Sequence, residues 1–274
     1  MASLPLLLSV SEFNAVLASP PSNLLIIDLG KVERFAEAHI PGAILVTPAE
    51  TQQREPPAGF IPKQEALTEL MRSIGLTPEK HVVVYDDEGG GWAGRFIWML
   101  DEIGHTHYSY LDGGLVAWQA ENLPLTAQDS ATTAVNSDIS PNSSGLHTIT
   151  AEELMKSLPL KTYNIWDARS PGEYSGEKAN AKRAGHIPGA FNLNWTDAMD
   201  TSRALRLKPL AQLRQELEKL GLDSNKTVVT HCQSHHRSGL TYLICKLLEQ
   251  PVLAYAGSWG EWGNRDDTPV ETND

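Results

Sequence analysis

Short aliphatic runs alternate with segments of helical period along most of the chain. Leu24–Asp28 and Val82–Tyr85 are apolar runs bounded by polar residues, the pattern of strands buried on both faces of a parallel sheet. Between them Leu67, Leu70, Met71 and Ile74 recur at i, i+3, i+4 and i+7, which predicts one apolar face of a helix. The second half repeats the scheme. Leu210, Leu213, Leu217 and Leu220 predict a matching helix, Val228–Thr230 a strand leading to Cys232, and Leu240, Leu243, Ile244 and Leu247 an amphipathic helix after it. Strands alternating with helices place the chain in the α/β class, each sheet covered by helices on both faces.

The two halves are copies. Leu24-Leu-Ile-Ile-Asp28 is matched by Tyr163-Asn-Ile-Trp-Asp167, and His39-Ile-Pro-Gly-Ala43 returns letter for letter as His186-Ile-Pro-Gly-Ala190. Leu111-Asp-Gly-Gly-Leu-Val-Ala-Trp118 is echoed by Tyr255-Ala-Gly-Ser-Trp-Gly-Glu-Trp262, and matched residues lie between 139 and 147 positions apart in constant order. The Ser-, Thr- and Asn-rich stretch between the copies has no period and contains Pro124 and Pro141, so it is expected to link them. The expected organisation is a first domain over 1–122, a linker over 123–147 and a second domain over 148–274.

Charge narrows the partners. Over 274 residues the formal net charge is −12, which argues against nucleic acid or an anionic membrane as the main partner, because both select a basic face. The acidity is uneven: 7 basic and 16 acidic groups in residues 1–125 give −9, and 15 and 18 in residues 126–274 give −3. No run approaches the length of about 18 apolar residues that spans a bilayer. Met1-Ala-Ser-Leu-Pro-Leu-Leu-Leu8 lacks the basic residues of a secretory signal. The two cysteines, Cys232 and Cys245, are not expected to pair: on a helix starting near Arg237, Cys245 lies roughly 12 Å along the axis. Free thiols and no export signal point to a reducing cytoplasm, and nothing in the sequence demands more than a monomer.

Candidate chemistry emerges where the copies differ. The first copy continues its strand as Asp86-Asp-Glu-Gly-Gly-Gly91, the second as Cys232-Gln233-Ser234-His235-His236-Arg237. This loop lies at the carboxyl end of a parallel strand, where open α/β sheets bind ligands, and it runs into a helix N-terminus that favours anions. The same field, with Arg237 nearby, is expected to lower the Cys232 pKa. Cys245, on the apolar helix, reads as a buried small hydrophobe. A zinc site is disfavoured, since His231, Cys232, His235 and His236 share one short loop with no second ligand pair downstream. His231 is expected to end the strand and point away from the site.

Taken together, Asp167-x-Arg169, Gly185-His-Ile-Pro-Gly-Ala190, a strand ending in a Cys loop and the Gly257…Trp262 segment resemble the rhodanese (sulfurtransferase) superfamily. The resemblance covers about residues 8–268 in the tandem form, two similar rhodanese-like domains of which the first is inactive, with Asp86 in place of the Cys. The loop and the Tyr255–Gly263 segment are closely similar to bacterial rhodaneses of the Azotobacter and Pseudomonas type. It implies a ping-pong transfer: the Cys232 thiolate takes the outer sulfur of thiosulfate, and the persulfide passes it to a thiophilic acceptor such as cyanide. No cofactor or metal is implied beyond that covalent persulfide, and the partners are a small anionic sulfur donor and the acceptor.

Gln233, Ser234, His235, His236 and Arg237 are then expected to bind the donor and stabilise the persulfide, with charge from Arg237 and partial charge from the two histidines. Asp167 and Arg169 read as a salt-bridged support for the loop. Vertebrate-type members carry an Arg where this chain has Glu173, so one anion anchor is absent. Arg183 and Arg237 are the candidate replacements, and Trp195 is a candidate for the cleft wall. The Gln-Ser-His-His-Arg loop favours thiosulfate over mercaptopyruvate, although loss of the anchor is equally compatible with weak thiosulfate binding and another donor. Related phosphatases use a Cys-x5-Arg loop. Here the spacing is Cys-x4-Arg, which leaves too little room for a phosphoryl group and its in-line attack. A non-catalytic binding module is disfavoured, because one copy keeps both thiol and cationic loop while the other has lost both.

Overall fold

The computed structural model describes residues 4–53, 55–128 and 141–272. The first copy builds a five-stranded parallel sheet from β1 (Leu7–Leu8), β2 (Leu24–Leu29), β3 (Ala43–Val46), β4 (His81–Asp86) and β5 (Tyr108–Leu111), in the order β1-β5-β4-β2-β3. The second builds a four-stranded parallel sheet from β6 (Asn164–Asp167), β7 (Phe191–Asn192), β10 (Val228–His231) and β11 (Val252–Ala254), in the order β11-β10-β6-β7. A short antiparallel pair, β8 (Met199–Asp200) and β9 (Arg206–Leu207), stands apart. In both sheets the chain leaves the central strand to one side and returns on the other. The crevice at the strand ends therefore opens between β2 and β4 and between β6 and β10.

Helices α1 (Val10–Leu17), α2 (Val32–Glu37), α3 (Gln64–Ser73), α4 (Gly91–Glu102) and α5 (Gly114–Ala120) flank the first sheet. α6 (Ala151–Ser157), α7 (Pro171–Ser175), α8 (Leu210–Lys219), α9 (Arg237–Leu247) and α10 (Ser258–Trp262) accompany the second. α3 buries Leu67, Leu70 and Met71 on one face, with Ile74 buried at its cap. In α8 the expected face is shorter than the sequence suggests: the helix ends at Lys219, Leu220 is 42% exposed and Leu222 is buried in its stead. The expectation of an amphipathic helix at Leu240–Leu247 needs a larger correction. Every residue of α9 from Ser238 to Cys245 is buried, because one side rests on its own sheet and the other on α4 of the first domain. α4 is likewise buried along nearly its whole length.

These two helices meet through glycine. A Cβ on Gly94 would lie well inside van der Waals contact of the Gly239 carbonyl, and one on Gly239 would meet the backbone of Gly91 and Arg95. Around this contact one apolar cluster runs from Leu67 and Phe96 of the first copy to Leu240 and Leu243 of the second. Asp101 of α4 accepts hydrogen bonds from Tyr108 and from Tyr242 (2.7 Å), and pairs with Lys246 (2.6 Å) of α9. Of the expected linker, residues 129–140 lie outside the described residues. Its far end is held by the buried Glu102 carboxylate, which accepts from Ser143 Oγ (2.8 Å), the Gly145 amide (2.8 Å) and the His147 amide (3.1 Å). Among the described residues no helix is long and apolar enough to cross a membrane.

The repeated His-Ile-Pro-Gly-Ala block has the same structural part in each copy. His39 stacks on Phe35 and bonds its carbonyl through Nδ1 (2.7 Å), while His186 stacks on Tyr174 and bonds its carbonyl the same way (2.8 Å). Both imidazoles are buried.

Candidate active site

β10 ends at His231, the loop Cys232–His236 follows, and α9 begins at Arg237. The loop is clamped from the first turn of α10. Ser258 Oγ accepts from the amides of Cys232 (3.3 Å) and His235 (3.1 Å), while the amides of Trp259 and Gly260 donate to the carbonyls of Cys232 (2.9 Å) and Gln233 (2.8 Å). Ser258 has φ +53 and occupies the place of Gly114 in the first copy, which has φ +54. A hydroxyl was thus placed where the other copy keeps glycine. Sequence reading missed Ser258, although this exchange within a repeated block was the signal for it.

Cys232 is 1% exposed, and its Sγ accepts a hydrogen bond from Ser238 Oγ (3.4 Å). Burial works against the thiolate. The Arg237 charge, the Ser238 hydroxyl and the amides of Ser238 and Ser234 outweigh it, and the thiol pKa is lowered. Cys245, buried in α9 with no such donors, is pushed up by burial. Both cysteines are free.

The charged residues are arranged differently from the sequence expectation. Arg237 donates from both terminal nitrogens to Glu173 (2.7 and 2.9 Å), so the residue expected to mark a missing anion anchor orients the loop arginine instead. Burial disfavours the Glu173 charge, but Arg237 and Ser170 hold its carboxyl down to about 2. Arg183 does not reach the site, and its expected anion contact is corrected: it donates to the carbonyls of Thr268 (2.6 Å) and Trp262 (2.8 Å) and secures the C-terminal segment. His235 also departs from expectation. It is fully buried at φ +54, its Nδ1 meets Ser238 Oγ (2.8 Å), and burial together with Arg95 lowers its pKa well below the histidine norm, so it contributes no positive charge near neutral pH.

His236 faces the first domain, where it pairs with Glu88 and stacks on Trp92 at 4.0 Å. Trp195 lies against the same ring at 5.5 Å and packs against the apolar cluster shared by the two copies. Trp92 and Arg95 were not singled out in the sequence, because they belong to the copy without a thiol. Gln233 reaches outward to the Asn180 carbonyl (3.0 Å), and Ser234 contributes its amide. Asp167 and Arg169 form a buried pair (2.6 Å), with Arg169 also bonded to the Gly185 carbonyl (2.8 Å) and seated over Trp259 at 4.4 Å. Since the Trp259 amide holds the Cys232 carbonyl, the pair supports the loop at one remove. His231 is buried beside Asp167 (3.7 Å), and burial lowers its pKa to about 4, so it is neutral.

Strand register locates the counterpart of Cys232. Asp28 is opposite Tyr85 in the first sheet and Asp167 opposite His231 in the second, so Asp86 and Cys232 each follow the matched pair. The Asp86 carboxylate accepts from the amides of Glu88 (3.2 Å), Gly89 (3.1 Å), Gly90 (2.8 Å) and Ala93 (3.0 Å). The first copy therefore fills its own amide cradle with a side-chain anion. Burial and the nearby Glu88 charge raise the Asp86 pKa to about 6 against those amide bonds.

Comparison with known proteins agrees with this geometry. The rhodanese-like domain family matches twice, over residues 9–121 and 150–265. The chain is 52% identical to a thiosulfate sulfurtransferase of Azotobacter vinelandii and 48% identical to one of Pseudomonas aeruginosa, each alignment covering 98% of both chains. The crystal structure of SseA from Escherichia coli, a 3-mercaptopyruvate sulfotransferase with the rhodanese fold, superposes with a TM-score of 0.81 at 25% identity, over 93% of this chain and 99% of that one. A duplicated α/β fold, a buried thiol under loop amides in one copy and a carboxylate in the same place in the other thus have one common description: the chain belongs to the rhodanese family, as two rhodanese-like domains in tandem.

Proposed function

We propose that the chain is a thiosulfate sulfurtransferase working through a persulfide on Cys232. The thiolate attacks the outer sulfur of thiosulfate, the S–S bond of the donor breaks, and sulfite leaves with the bonding pair. The persulfide's outer sulfur is then taken by a thiophilic acceptor. With cyanide, carbon bonds that sulfur, the Cys232 thiolate departs and thiocyanate is released. The observation that carries this reading is the buried Cys232 sulfur held under the Ser238 hydroxyl and the amides of Ser234 and Ser238. Such donors favour an anion on that sulfur, whether thiolate or persulfide.

Arg237 supports the donor side. Glu173 engages both terminal nitrogens, yet a guanidinium carries five N–H donors, and the remaining ones are available to a sulfonate oxygen. The net field at the mouth is weaker than a free arginine would give, which favours a modest affinity for thiosulfate. The reaction calls for no cofactor, and the two free thiols suit a reducing compartment such as the cytoplasm.

Measuring kcat/KM for thiosulfate, 3-mercaptopyruvate and an aryl phosphate on one preparation tests the assignment. The expected result is thiosulfate at least about tenfold above mercaptopyruvate, a transition-state preference of about 1.4 kcal/mol, with no phosphate release. A preference for mercaptopyruvate, or turnover of the phosphate ester, would overturn it.

A further inference from the structure

Arg95 lies on α4 of the first domain and is fully buried. Its guanidinium donates to the carbonyls of Thr51 (2.6 Å), Gly59 (2.8 Å), Phe60 (3.2 Å) and, across the domain boundary, His235 (3.3 Å). Among the described residues no carboxylate forms an ion pair with it, an arrangement that is costly for a buried cation unless something anionic shares its surroundings. The arginines nearest Cys232 in the second domain are matched, Arg237 with Glu173 and Arg169 with Asp167, and the His236 ring is hydrogen-bonded to the Glu88 carboxylate. His231 and His235 are neutral near pH 7. That leaves Arg95 as the cation without a carboxylate, and the Cys232 sulfur is the group that favours its charged form, against a burial that draws it down to about 9.

The contact with His235 leads to the sulfur by a directed chain. Ser238 has one hydroxyl hydrogen, and Oγ donates it to Cys232 Sγ. Its bond with His235 Nδ1 must then be donated by the imidazole. This leaves Nε2 as a bare acceptor, and Nε2 is the ring nitrogen with no partner, buried beside Trp98. A protonated His235 would carry a second donor with no acceptor, and the Arg95 charge opposes that protonation.

We propose that Arg95, supplied by the domain that has no thiol, is a positioning residue for the Cys232 sulfur: it anchors His235 so that the Ser238 hydroxyl points at Sγ, and its unmatched charge favours the anionic sulfur. The proposal rests on Cys232 as the sulfur carrier, but its test reads the free thiol, so either can fail without the other. The measurement is the pH dependence of Cys232 alkylation by iodoacetamide in the full chain without thiosulfate, followed by mass. R95M is expected to move the midpoint to higher pH and slow alkylation at neutral pH by about tenfold, one pKa unit. S238A should move it in the same direction, and R95K, which keeps the charge but not the fork of donors, should fall between wild type and S238A. A folded R95M with the wild-type midpoint would overturn the proposal. Should R95M not fold, R95K decides: a wild-type midpoint together with wild-type discharge of the persulfide to cyanide overturns it. Shifted alkylation in the variants but no sulfur transfer by the wild type would instead sink the reading of function and leave the positioning role standing.

Discussion

Glu173 shows how much a single residue changes the meaning of its neighbours. By sequence it registered as a missing anchor. In the structure it orients Arg237, and Arg237 lowers its pKa to about 2. A depressed carboxyl contributes stability that is present above its unfolded value, near 4.3, and lost as pH falls through its folded value. E173Q should therefore cost on the order of 2 kcal/mol at pH 7 by urea unfolding, with the gap to wild type closing near pH 2. It should also free Arg237 and lower KM for thiosulfate, with the fold retained. The two cysteines make a sharper contrast: C232S should abolish thiocyanate formation, while C245S, altering a thiol inside α9, should keep most of kcat. Cys232 was legible because the copies could be compared at one position, Asp86 against Cys232. Arg183 was misplaced for the opposite reason: its charge suggested an anion, but nothing in the sequence says that its guanidinium faces the carbonyls of Trp262 and Thr268.

Helices α4 and α9 carry the joint between the domains. Periodicity revealed α9 as a helix with one apolar face, but no helix was read at α4, nor that α4 would bury the other face of α9. That information lies in the pairing of two distant segments, and its sequence trace is as small as Gly94 and Gly239. Any side chain at Gly94 would meet the backbone of α9, so G94A should destabilise the chain by about 3 kcal/mol, the upper range for overpacking a core, in chemical denaturation. Because α9 starts at Arg237 and positions Ser238, the same substitution should reduce persulfide formation although it lies in the first domain. A G94A protein with wild-type stability would show that the helices can separate without penalty.

For the whole molecule, duplication and charge reinforce one another. The excess acid of the first half includes Asp86, which fills that copy's own cradle, and Glu88, which pairs with His236 of the other copy. The fold class and tandem organisation were visible in repeated blocks and alternating periods. The interdependence of the copies was not, because Arg95, Asp101 and Trp92 belong to one copy and act in the other. One consequence is cooperative unfolding: with Asp101 buried between Tyr108, Tyr242 and Lys246, calorimetry should show a single transition, and D101A, leaving Lys246 unmatched, should cost about 3 kcal/mol. Two separated transitions would mean that the interface contributes little. The central claim, that Cys232 is the atom carrying sulfur between donor and acceptor, is met most directly by peptide mass spectrometry after incubation with thiosulfate. The peptide holding Cys232 should gain the mass of one sulfur atom, the peptide holding Cys245 should not, and one equivalent of cyanide should remove the gain and release one equivalent of thiocyanate. An unmodified Cys232 peptide in protein that still turns thiosulfate and cyanide into thiocyanate would contradict it.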